Sequence, residues 1–456
     1  MGSSKVHFIG VAGIGMRGLA RLCLKKGWQV SGSDDHASLN SLSSLIEMGL
    51  QMKPESLDLS EINPEWVVYS SAIAPLHPQR VWAEDREKLL HRSELLASFF
   101  NQADHRIAVT GSHGKTTVSS WVSHVLHLKH AASYCVGGVI KSFGLTADLG
   151  SSHEWVIEAD ESDGSLKNYE PSCVVITNIS DDHLNHWGSV EALESFMLGY
   201  AKAARTAILC QDDPRLSKWP IRALRYGFDS SSDLRIEKFH ANEKGLEAHL
   251  IYRGDDLGIF KSRLIGKHNA QNMAAVVAVC LSLGMAPNDI KPVIATFEGA
   301  GRRLEALGEL AGMRFYDDYA VHPTEIATSI RALKNLLREK EKLRVIFQPH
   351  RSSRLKNLMS SIAESLKEAD ELWICPLYLA GEPALEGIDS QALAEKIREL
   401  YPKQVLRLFN VLEDVREALK DELNQKNNTP CICATMGAGS VTHTAREWLA
   451  NSHKTA

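Results

Sequence analysis

Seven residues at 111–117, Gly-Ser-His-Gly-Lys-Thr-Thr, have the types and order of a phosphate-binding loop. They follow an apolar run at 106–110 and precede a stretch that favours a helix. Small residues let backbone amides approach phosphate oxygens, the helix N-terminus adds partial positive charge, and Lys115 can reach terminal phosphates. Thr116 offers a hydroxyl for Mg²⁺. The loop is shorter than the general G-x-x-x-x-G-K-[ST] pattern, but its Lys-Thr-Thr sequence argues against a plain glycine turn capped by threonine.

Acidic residues and a histidine follow two further apolar runs. The segment 158–163, Glu-Ala-Asp-Glu-Ser-Asp, follows the run 155–158, and the segment 177–183 ends in Asp-Asp-His. Such an acidic run is usually a solvated turn, but at the carboxyl end of a parallel strand it faces the ligand crevice. One or two of its carboxylates then suit Mg²⁺, which prefers oxygen ligands. His183 is either a capping or packing residue or a metal ligand, and the phosphate loop favours the metal ligand.

Two polar segments further along the chain suit a nucleotide. The segment 268–272, His-Asn-Ala-Gln-Asn, opens a helical stretch, where Asn side chains either cap the helix or hydrogen-bond a purine base. Arg302 and Arg303 follow a Gly-Ala-Gly turn, and paired arginines suit phosphate clamping. We therefore expect both segments near the nucleotide.

A second glycine motif lies near the start of the chain. Gly13-x-Gly15-x-x-Gly18 follows an apolar run, and Asp34 lies where dinucleotide-binding folds place a ribose-binding acid. The motif alone suggests a nicotinamide cofactor, but it is weak evidence and no hydride-transfer site accompanies it. A diphosphate other than NAD, or a purely structural turn, remains open.

The bulk properties exclude several classes of protein. A chain of 456 residues predicts roughly three domains, and a net charge of −5 gives no basic field for nucleic acid. The longest apolar stretches fall short of the roughly 18 residues that a membrane span needs. The start of the chain lacks a signal-peptide pattern. Eight scattered cysteines indicate reduced thiols and a cytoplasmic protein, with Cys431 and Cys433 on one strand face.

Apolar strand-like runs alternate with helical patterns, which predicts α/β layers with parallel sheets. The stretch 230–256 is polar and favours antiparallel strands or loop, and the glycine-rich segment near 299–310 suits a hinge. The predicted strands lie at 6–9, 29–33, 66–71, 106–110, 155–158, 174–177, 314–317, 343–347, 371–375 and 431–435.

These motifs together resemble the Mur ligase family of ATP-dependent amide-forming enzymes. The resemblance rests on the segments 111–117, 158–163, 177–183 and 268–272, and extends over essentially the whole chain. Further segments that carry it are 7–16, Asp317-Asp-Tyr with His322-Pro-Thr-Glu, Phe347-Gln-Pro-His-Arg with Arg354, Ala380-Gly-Glu382 and Met436-Gly-Ala-Gly439.

The resemblance implies three α/β domains: a Rossmann-like UDP-binding domain at 1–103, a central P-loop ATPase-like parallel-sheet domain at 104–307, and a Rossmann-like amino-acid-binding domain at 308–456. It implies that ATP and Mg²⁺ drive ligation of L-alanine to the carboxylate of UDP-N-acetylmuramate through an acyl phosphate, in peptidoglycan precursor synthesis. A monomer or weak homodimer is expected, with neither nucleic acid nor a membrane as partner.

The implied roles fall on residues that match the motifs. The ATP site comprises Gly111, Ser112, His113, Gly114, Lys115, Thr116, Thr117, His268, Asn272 and Asp318. The implied catalytic residues are Lys115, Glu161, His183 and Arg303. The implied metal ligands are Thr116, Glu161 and His183. The implied sugar-nucleotide-binding residues are Gly13, Gly15, Asp34 and Ser71. The implied amino-acid-binding residues are Tyr319, His350, Arg351 and Arg354. The base that deprotonates the amine is His183, His322 or His350.

The chain departs from the family pattern in the third domain. Val321 stands for a usual histidine, Ser352-Ser353 for Tyr-Thr, and Ser440 for aspartate. These departures all lie in the predicted amino-acid-binding domain and bear on which amino acid is used. Alanine stays the expected substrate, with serine or glycine as alternatives. Three other functions stay open: a ligase that attaches a recycled peptide to the same sugar, a nicotinamide-dependent oxidoreductase, and a nucleotide-binding protein without turnover.

Overall fold

The computed structural model describes residues 4–35, 39–181, 184–424 and 430–452. The chain divides into two compact units. The first comprises 1–239, 247–263 and 270–300, and the second comprises 240–246, 264–269 and 301–456.

The first unit opens with a five-stranded parallel sheet in the order β3-β2-β1-β4-β5. Phe8 and Ile9 of β1 point to opposite faces of the sheet and are both fully buried, as expected for a parallel strand that is covered on both faces. The strands are β1 Lys5–Ile9, β2 Gln29–Ser33, β3 Gln51–Lys53, β4 Trp66–Tyr69 and β5 Leu89–His91. The helices are α1 Ile14–Lys25, α2 Leu39–Glu47, α3 Pro78–Glu84 and α4 Arg92–Phe100.

A ten-stranded sheet follows, in the order β15-β14-β13-β12-β11-β10-β6-β9-β7-β8. Strand β6 pairs in parallel with both β9 and β10, so the ends of these three strands lie side by side. The strands are β6 His105–Thr110, β7 Ser133–Ile140, β8 Leu145–Asp148, β9 Glu154–Glu158, β10 Cys173–Ile176, β11 Thr206–Cys210, β12 Leu224–Gly227, β13 Leu234–Asn242, β14 Gly245–Tyr252 and β15 Asp255–Ser262.

The helices that follow these strands cover the central sheet. In α5, Val118, Trp121, Val122 and Val125 are fully buried, which is the i, i+3, i+4, i+7 stripe of a helix packed on a core. The helices are α5 Lys115–His130, α6 Leu184–Trp187, α7 Val190–Ala203, α8 Lys267–Ser282 and α9 Pro287–Ile294, with short 3₁₀ helices at Ser165–Asn168 and Leu216–Lys218.

The second unit contains a six-stranded sheet in the order β16-β17-β21-β18-β19-β20. All pairings are parallel except that of β16 with β17. The strands are β16 Glu305–Leu310, β17 Met313–Asp318, β18 Lys342–Phe347, β19 Glu371–Ile374, β20 Val405–Leu408 and β21 Cys431–Met436. The helices are α10 Pro323–Lys334, α11 Ser352–Leu366, α12 Ser390–Leu400, α13 Leu412–Asn424 and α14 Val441–Ser452.

The predicted fold class is confirmed, and each predicted strand is present to within a few residues. The polar stretch 230–256 forms strands joined by two-residue turns, which agrees with the antiparallel alternative. All eight cysteines are buried thiols outside any disulfide. Among the described helices, none is both long and apolar enough to cross a membrane. The domain boundaries remain a prediction.

Candidate active site

The phosphate loop connects the end of β6 to the start of α5, as predicted. Gly111 has φ +124°, and a Cβ there would lie 2.3 Å from Thr177 Oγ1 and 2.9 Å from the Asn178 carbonyl oxygen. Gly114, at φ +85°, precedes the first helical residue in a left-handed conformation. Glycine is therefore required at both positions by backbone strain, and at 111 also by the closeness of the next strand's end.

The segment after β10 holds the loop in place. Asn178 accepts hydrogen bonds from the backbone amides of Ser112, at 3.1 Å, and His113, at 2.8 Å. Thr177 Oγ1 donates to the His113 carbonyl at 2.6 Å. The cradle is thus preformed, and the first-turn amides of α5, which a helix leaves outside its own ladder, are the donors that it presents to an anion.

Lys115 forms a buried ion pair with Glu161. Its Nζ lies 2.7 and 2.9 Å from the two oxygens of Glu161, whose side chain is fully buried, and 3.8 Å from Asp160. Burial alone would lower the pKa of Lys115, but the negative charges of Glu161 and Asp160 raise it above its ordinary value. Lys115 is therefore charged, and the Glu161 carboxylate is its partner at the atom that the sequence predicts to contact phosphate.

Glu158, the last residue of β9, contacts the other functional side chain of the loop. It accepts hydrogen bonds from Thr116 Oγ1 at 2.9 Å, from Ser119 Oγ at 3.3 Å and from the Gly137 amide at 2.7 Å. The sequence prediction placed Thr116 with Glu161 at the metal. The geometry instead pairs Thr116 with Glu158, because Glu161 turns toward Lys115. Glu158 is thus a residue that motif matching passed over, although it lies in the same acidic run.

The metal site is incomplete in the part of the chain that the structure describes. Within that part, no group of three or more His, Cys, Asp or Glu side chains is arranged to hold a metal ion. His183, the remaining predicted ligand, lies outside the described residues. A hydroxyl and a carboxylate at Thr116 and Glu158 are nevertheless the oxygen donors that Mg²⁺ prefers.

The two predicted adenine contacts lie on α8. A Cβ on Gly114 would lie 3.0 Å from Asn272 Oδ1, so this amide is beside the phosphate loop. His268 lies beside Gly266, where a Cβ would be 2.7 Å from its ring, and burial lowers its pKa to about 4. His268 is therefore a neutral ring at physiological pH. Their contact with adenine stays a prediction.

The first glycine motif forms a turn at the start of α1, again at the end of a parallel strand. Asp34 accepts a hydrogen bond from the Ala12 amide at 3.0 Å, so this carboxylate braces the turn. The Arg92 guanidinium lies 3.8 Å from where a Cβ on Gly15 would be. Sequence reasoning missed Arg92, which begins α4 some 77 residues after Gly15 and carries no local motif.

Ser71 links this turn to the acidic run. Its hydroxyl donates to Asp163 Oδ2 at 3.0 Å and lies 3.2 Å from His91 Nε2, while Arg92 is 3.7 Å from the same carboxylate. Burial acts to raise the pKa of Asp163, but hydrogen bonds from Ser165 and the Arg92 charge lower it overall. Gly13, Gly15, Asp34 and Ser71 remain predicted sugar-nucleotide residues.

In the second unit, the two adjacent arginines have different partners. Arg302, at φ +61°, directs its guanidinium at the carbonyls of 437–439 and lies 3.5 Å from the buried Asp317. Arg303 lies 3.9 Å from Glu325 and over the Tyr319 ring. The expected arginine pair is therefore split: Arg302 ties a loop to the sheet, and Arg303 alone keeps the predicted phosphate role.

Asp318, the predicted ribose contact, is a buried acid at the end of β17. It accepts hydrogen bonds from Ser329 Oγ at 2.6 Å and from the Ala320 amide at 3.1 Å. Burial raises its pKa to about 6, against the opposing effects of Ser329 and Arg303. This carboxyl is thus held in a desolvated position, and its contact with ribose stays a prediction.

The predicted amino-acid-binding residues His350, Arg351 and Arg354 follow β18, the first two just before α11 and Arg354 in its first turn. Arg354 Nη1 lies 3.0 Å from His350 Nδ1, and since arginine only donates, this nitrogen must accept. Burial and the Arg354 charge lower the pKa of His350 to about 4. The neutral ring carries its proton on Nε2, so His350 is a donor and is poorly suited to be the base. Tyr319 is on a different segment, under Arg302 and Arg303.

His322 has a local structural role. Its Nδ1 accepts a hydrogen bond from the Thr324 amide, and Glu325 completes a capping box at the start of α10. A neutral imidazole held this way also presents a donor at Nε2. Val321, which replaces the usual histidine, is buried. The base is therefore assigned to neither His322 nor His350 by this geometry.

Three family descriptions match consecutive parts of this chain. Residues 5–103 match the Mur ligase family catalytic domain, 109–280 the Mur ligase middle domain, and 302–439 the Mur ligase glutamate ligase domain. A UDP-N-acetylmuramate–L-alanine ligase of Anaeromyxobacter sp. (strain Fw109-5) is 34% identical over 461 residues, which cover 98% of this chain and 97% of the relative.

Two solved structures share the fold. The UDP-N-acetylmuramate–alanine ligase of Thermotoga maritima superimposes with a TM-score of 0.84 at 23% identity, covering 99% of this chain and 100% of the other. A murein peptide ligase of Psychrobacter arcticus gives 0.72 at 20% identity, with 98% of each chain covered. These matches extend over nearly the whole chain. The chain belongs to the Mur ligase family.

Proposed function

We propose that this protein joins L-alanine to the carboxylate of UDP-N-acetylmuramate, with conversion of ATP to ADP and phosphate, in peptidoglycan precursor synthesis. The observation that carries the proposal is the placement of Lys115 and Thr116 of the phosphate loop against Glu161 and Glu158. The relative from Anaeromyxobacter, named for this reaction and similar over nearly its full length, supports the choice of substrates.

The first step joins two anions. The sugar carboxylate attacks the γ-phosphorus of ATP, the bond to the β–γ bridging oxygen breaks, and an acyl phosphate and ADP form. Each pair of unit charges about 4 Å apart costs about 4 kcal/mol at an effective dielectric near 20. Lys115 is already desolvated and charged, so it can stabilise the transferring phosphoryl group with little reorganisation. Its bond to Glu161 must then be exchanged for one to phosphate.

A magnesium ion would be held by Thr116 and Glu158. Their oxygens fit the chemistry of Mg²⁺, and they lie 2.9 Å apart at the end of the cradle that faces the acidic run. When bound, the ion supplies positive charge that offsets the phosphate oxygens. Ser119 and the Gly137 amide orient the Glu158 carboxylate, so it is held ready before any ion arrives.

The second step forms the amide. The ammonium group of alanine first loses one proton to solvent or to a base. The neutral amine then attacks the acyl carbon, the bond from that carbon to the phosphate oxygen breaks, and the second amine proton leaves with the phosphate. Arg351 is the N-cap residue of α11 and Arg354 lies in its first turn, beside His350, where both arginines suit the carboxylate of the amino acid. His350 is neutral beside them and can donate through Nε2.

The first domain would bind the UDP part of the sugar nucleotide. The α1 N-terminus and Gly15 form the predicted diphosphate site, and Arg92 adds a positive charge beside them. Asp34 braces the turn through the Ala12 amide, which gives this acid a structural function without a nicotinamide ribose.

Phosphate release measured with the purified protein, ATP and Mg²⁺ tests the proposal. Release is expected only when UDP-N-acetylmuramate and an amino acid are both present, with a product of the mass of the alanyl adduct. Alanine, serine and glycine offered in parallel determine the preference, and the tripeptide offered in competition tests the peptide-recycling alternative. Release that ignores either substrate, or full activity of Lys115→Ala, would overturn the proposal.

A further inference from the structure

The Ala380-Gly381-Glu382 segment forms a tight turn beyond the end of β19. Ala380 and Gly381 both have positive φ, +52° and +84°, and the Glu382 amide donates to the Leu379 carbonyl at 3.0 Å. A non-glycine residue in this conformation is uncommon and strained. The surrounding structure must therefore hold this tight turn in place.

Backbone pairing supplies that support. The Arg351 amide donates to the Tyr378 carbonyl at 2.8 Å, and the Tyr378 amide donates to the Pro349 carbonyl at 2.9 Å. The His350 and Tyr378 rings stack with centroids 5.9 Å apart. Arg351 itself has φ +65°. Two strained segments thus run side by side beyond the ends of β18 and β19, and the turn at 380–382 is placed against the start of α11.

The turn directs the Glu382 carboxylate toward the predicted amino-acid-binding residues at the start of α11. Its oxygens accept hydrogen bonds from the Ser353 amide at 3.0 Å and the Ser353 hydroxyl at 2.8 and 2.9 Å, and one oxygen lies 3.9 Å from Arg351 Nε. The side chain is still 27% exposed. Burial acts to raise the pKa of Glu382, but Ser353 and Arg351 lower it overall, so the group is ionised.

The charges at this place match a free amino acid. Arg351 and Arg354 are positive, Glu382 is negative, and His350 is neutral between them. A free amino acid carries one carboxylate and one ammonium group. The arginines therefore have a natural counterpart in the substrate carboxylate, and the ammonium group needs an anion nearby. Glu382 is the carboxylate that the fold holds beside these arginines, and it retains an exposed edge.

We propose that Glu382 binds the α-ammonium group of the amino-acid substrate while Arg351 and Arg354 bind its carboxylate. This inference rests on the proposed function. Glu382 is then a specificity residue that distinguishes an amino acid from a simple carboxylic acid and aims the nitrogen that will attack. The alternative is that Glu382 only caps α11 through Ser353.

Glu382→Gln separates the two roles, because an amide oxygen still accepts from the Ser353 amide while the negative charge is lost. Since a hydrogen bond to a charged group contributes about 1.5–3 kcal/mol, we expect the KM for alanine to rise about 10- to 100-fold. The KM values for ATP and the sugar nucleotide should stay within about twofold. Ser353→Ala is the matched control: it removes one donor to Glu382, keeps the charge, and should change the alanine KM less than about threefold.

Competitors with one charge each sharpen the test. Propionate offers only the carboxylate, and alaninamide offers only the ammonium group. In Glu382→Gln, inhibition by alaninamide should weaken at least about tenfold while inhibition by propionate is unchanged. A cap without contact to substrate would alter both inhibitors alike or neither. Should Glu382→Gln fold poorly, Glu382→Asp, which keeps the charge, must retain discrimination between alanine and propionate.

The outcomes separate the inference from the proposed function. If the unmodified protein forms no product from alanine, the proposed function fails. If it does form product and Glu382→Gln keeps the alanine KM and the alaninamide inhibition of the parent, only the role of Glu382 is overturned.

Discussion

Replacing Glu161 by glutamine tests whether Glu161 stabilises the charged, buried Lys115 until a phosphate takes its place. Glu161 is fully buried, and the side chain of Lys115 is 12% exposed. The Lys115 Nζ atom lies 2.7 and 2.9 Å from the two carboxylate oxygens of Glu161. The Glu161→Gln variant would leave a buried ammonium group with Asp160, at 3.8 Å, as its remaining close charge partner. Lys115→Met would instead remove the Lys115 cation from beside the buried Glu161 carboxylate.

The geometry gives the expected magnitude. Two unit charges 2.7 Å apart attract by about 6 kcal/mol at an effective dielectric of 20, and desolvation offsets much of this. Removing one partner of a buried pair typically costs about 3–5 kcal/mol. Because Asp160 partly compensates, we expect Glu161→Gln to lower the free energy of unfolding by about 2–4 kcal/mol, with Lys115→Met near the upper value. The double variant should lose only about 1 kcal/mol, since neither charge is left unpaired.

Denaturant unfolding of the four proteins, followed by tryptophan fluorescence, measures this coupling. ADP should stabilise Glu161→Gln more than the parent, because its phosphates restore an anion to Lys115, and should do little for Lys115→Met. The exposed pair Lys261–Glu247, at 2.6 Å, is the control, and Glu247→Gln should change stability by less than about 1 kcal/mol. A double variant that loses the sum of the single losses would refute the reasoning.

Three further predictions concern other parts of the site. Glu158→Gln should lower kcat at least about 100-fold and raise the Mg²⁺ concentration that activity requires, whereas Glu154→Gln at the other end of β9 should do neither in the same Mg²⁺ titration. The folded pKa of Asp318, about 6, exceeds its unfolded value of 3.8, so this group contributes stability below pH 3.8 that is lost as pH rises through 6. Unfolding midpoints at several pH values should show a loss of about 3 kcal/mol from this group, which Asp318→Asn removes. Gly439→Ala should raise the alanine KM at least about fivefold in steady-state assays, because its Cβ would lie 2.6 Å from Tyr378 Cγ and displace the ring stacked on His350; Gly199→Ala, with open space around it, should not.

The sequence predicted the parts of the site that depend on local order along the chain. The apolar runs 106–110, 155–158 and 174–177 became neighbouring parallel strands, so the segments that follow them meet at one edge of the sheet. The glycines at 111 and 114 mark a sharp strand-to-helix turn that other residues would strain. Placement of Lys115, Thr116 and the acidic run together followed from these two features.

The sequence could not predict which carboxylate meets which partner. Glu158 and Glu161 lie three residues apart in the same acidic run, and the family motif assigned the metal to Glu161 and not to Glu158. The choice depends on where the chain leaves the sheet: Glu158 is the last strand residue and faces Thr116, while Glu161 has turned toward Lys115. Arg302 and Arg303 pose the same problem, because the positive φ of Arg302 turns it to the carbonyls of 437–439.

The acidic run also connects the two predicted ligand sites of the first unit. Glu158 contacts Thr116 and Glu161 contacts Lys115, both on the phosphate loop. Two residues further, Asp163 accepts from Ser71 and lies near Arg92, beside the first glycine turn. A diphosphate bound beside Arg92 would therefore change the charge near Asp163. Asp163 belongs to the same short segment as the two carboxylates that hold Lys115 and Thr116. The six residues 158–163 thus contact both the loop at 111–117 and the segment of Ser71 and Arg92, so their carboxylates have specific partners although composition alone would describe the run as a solvated turn.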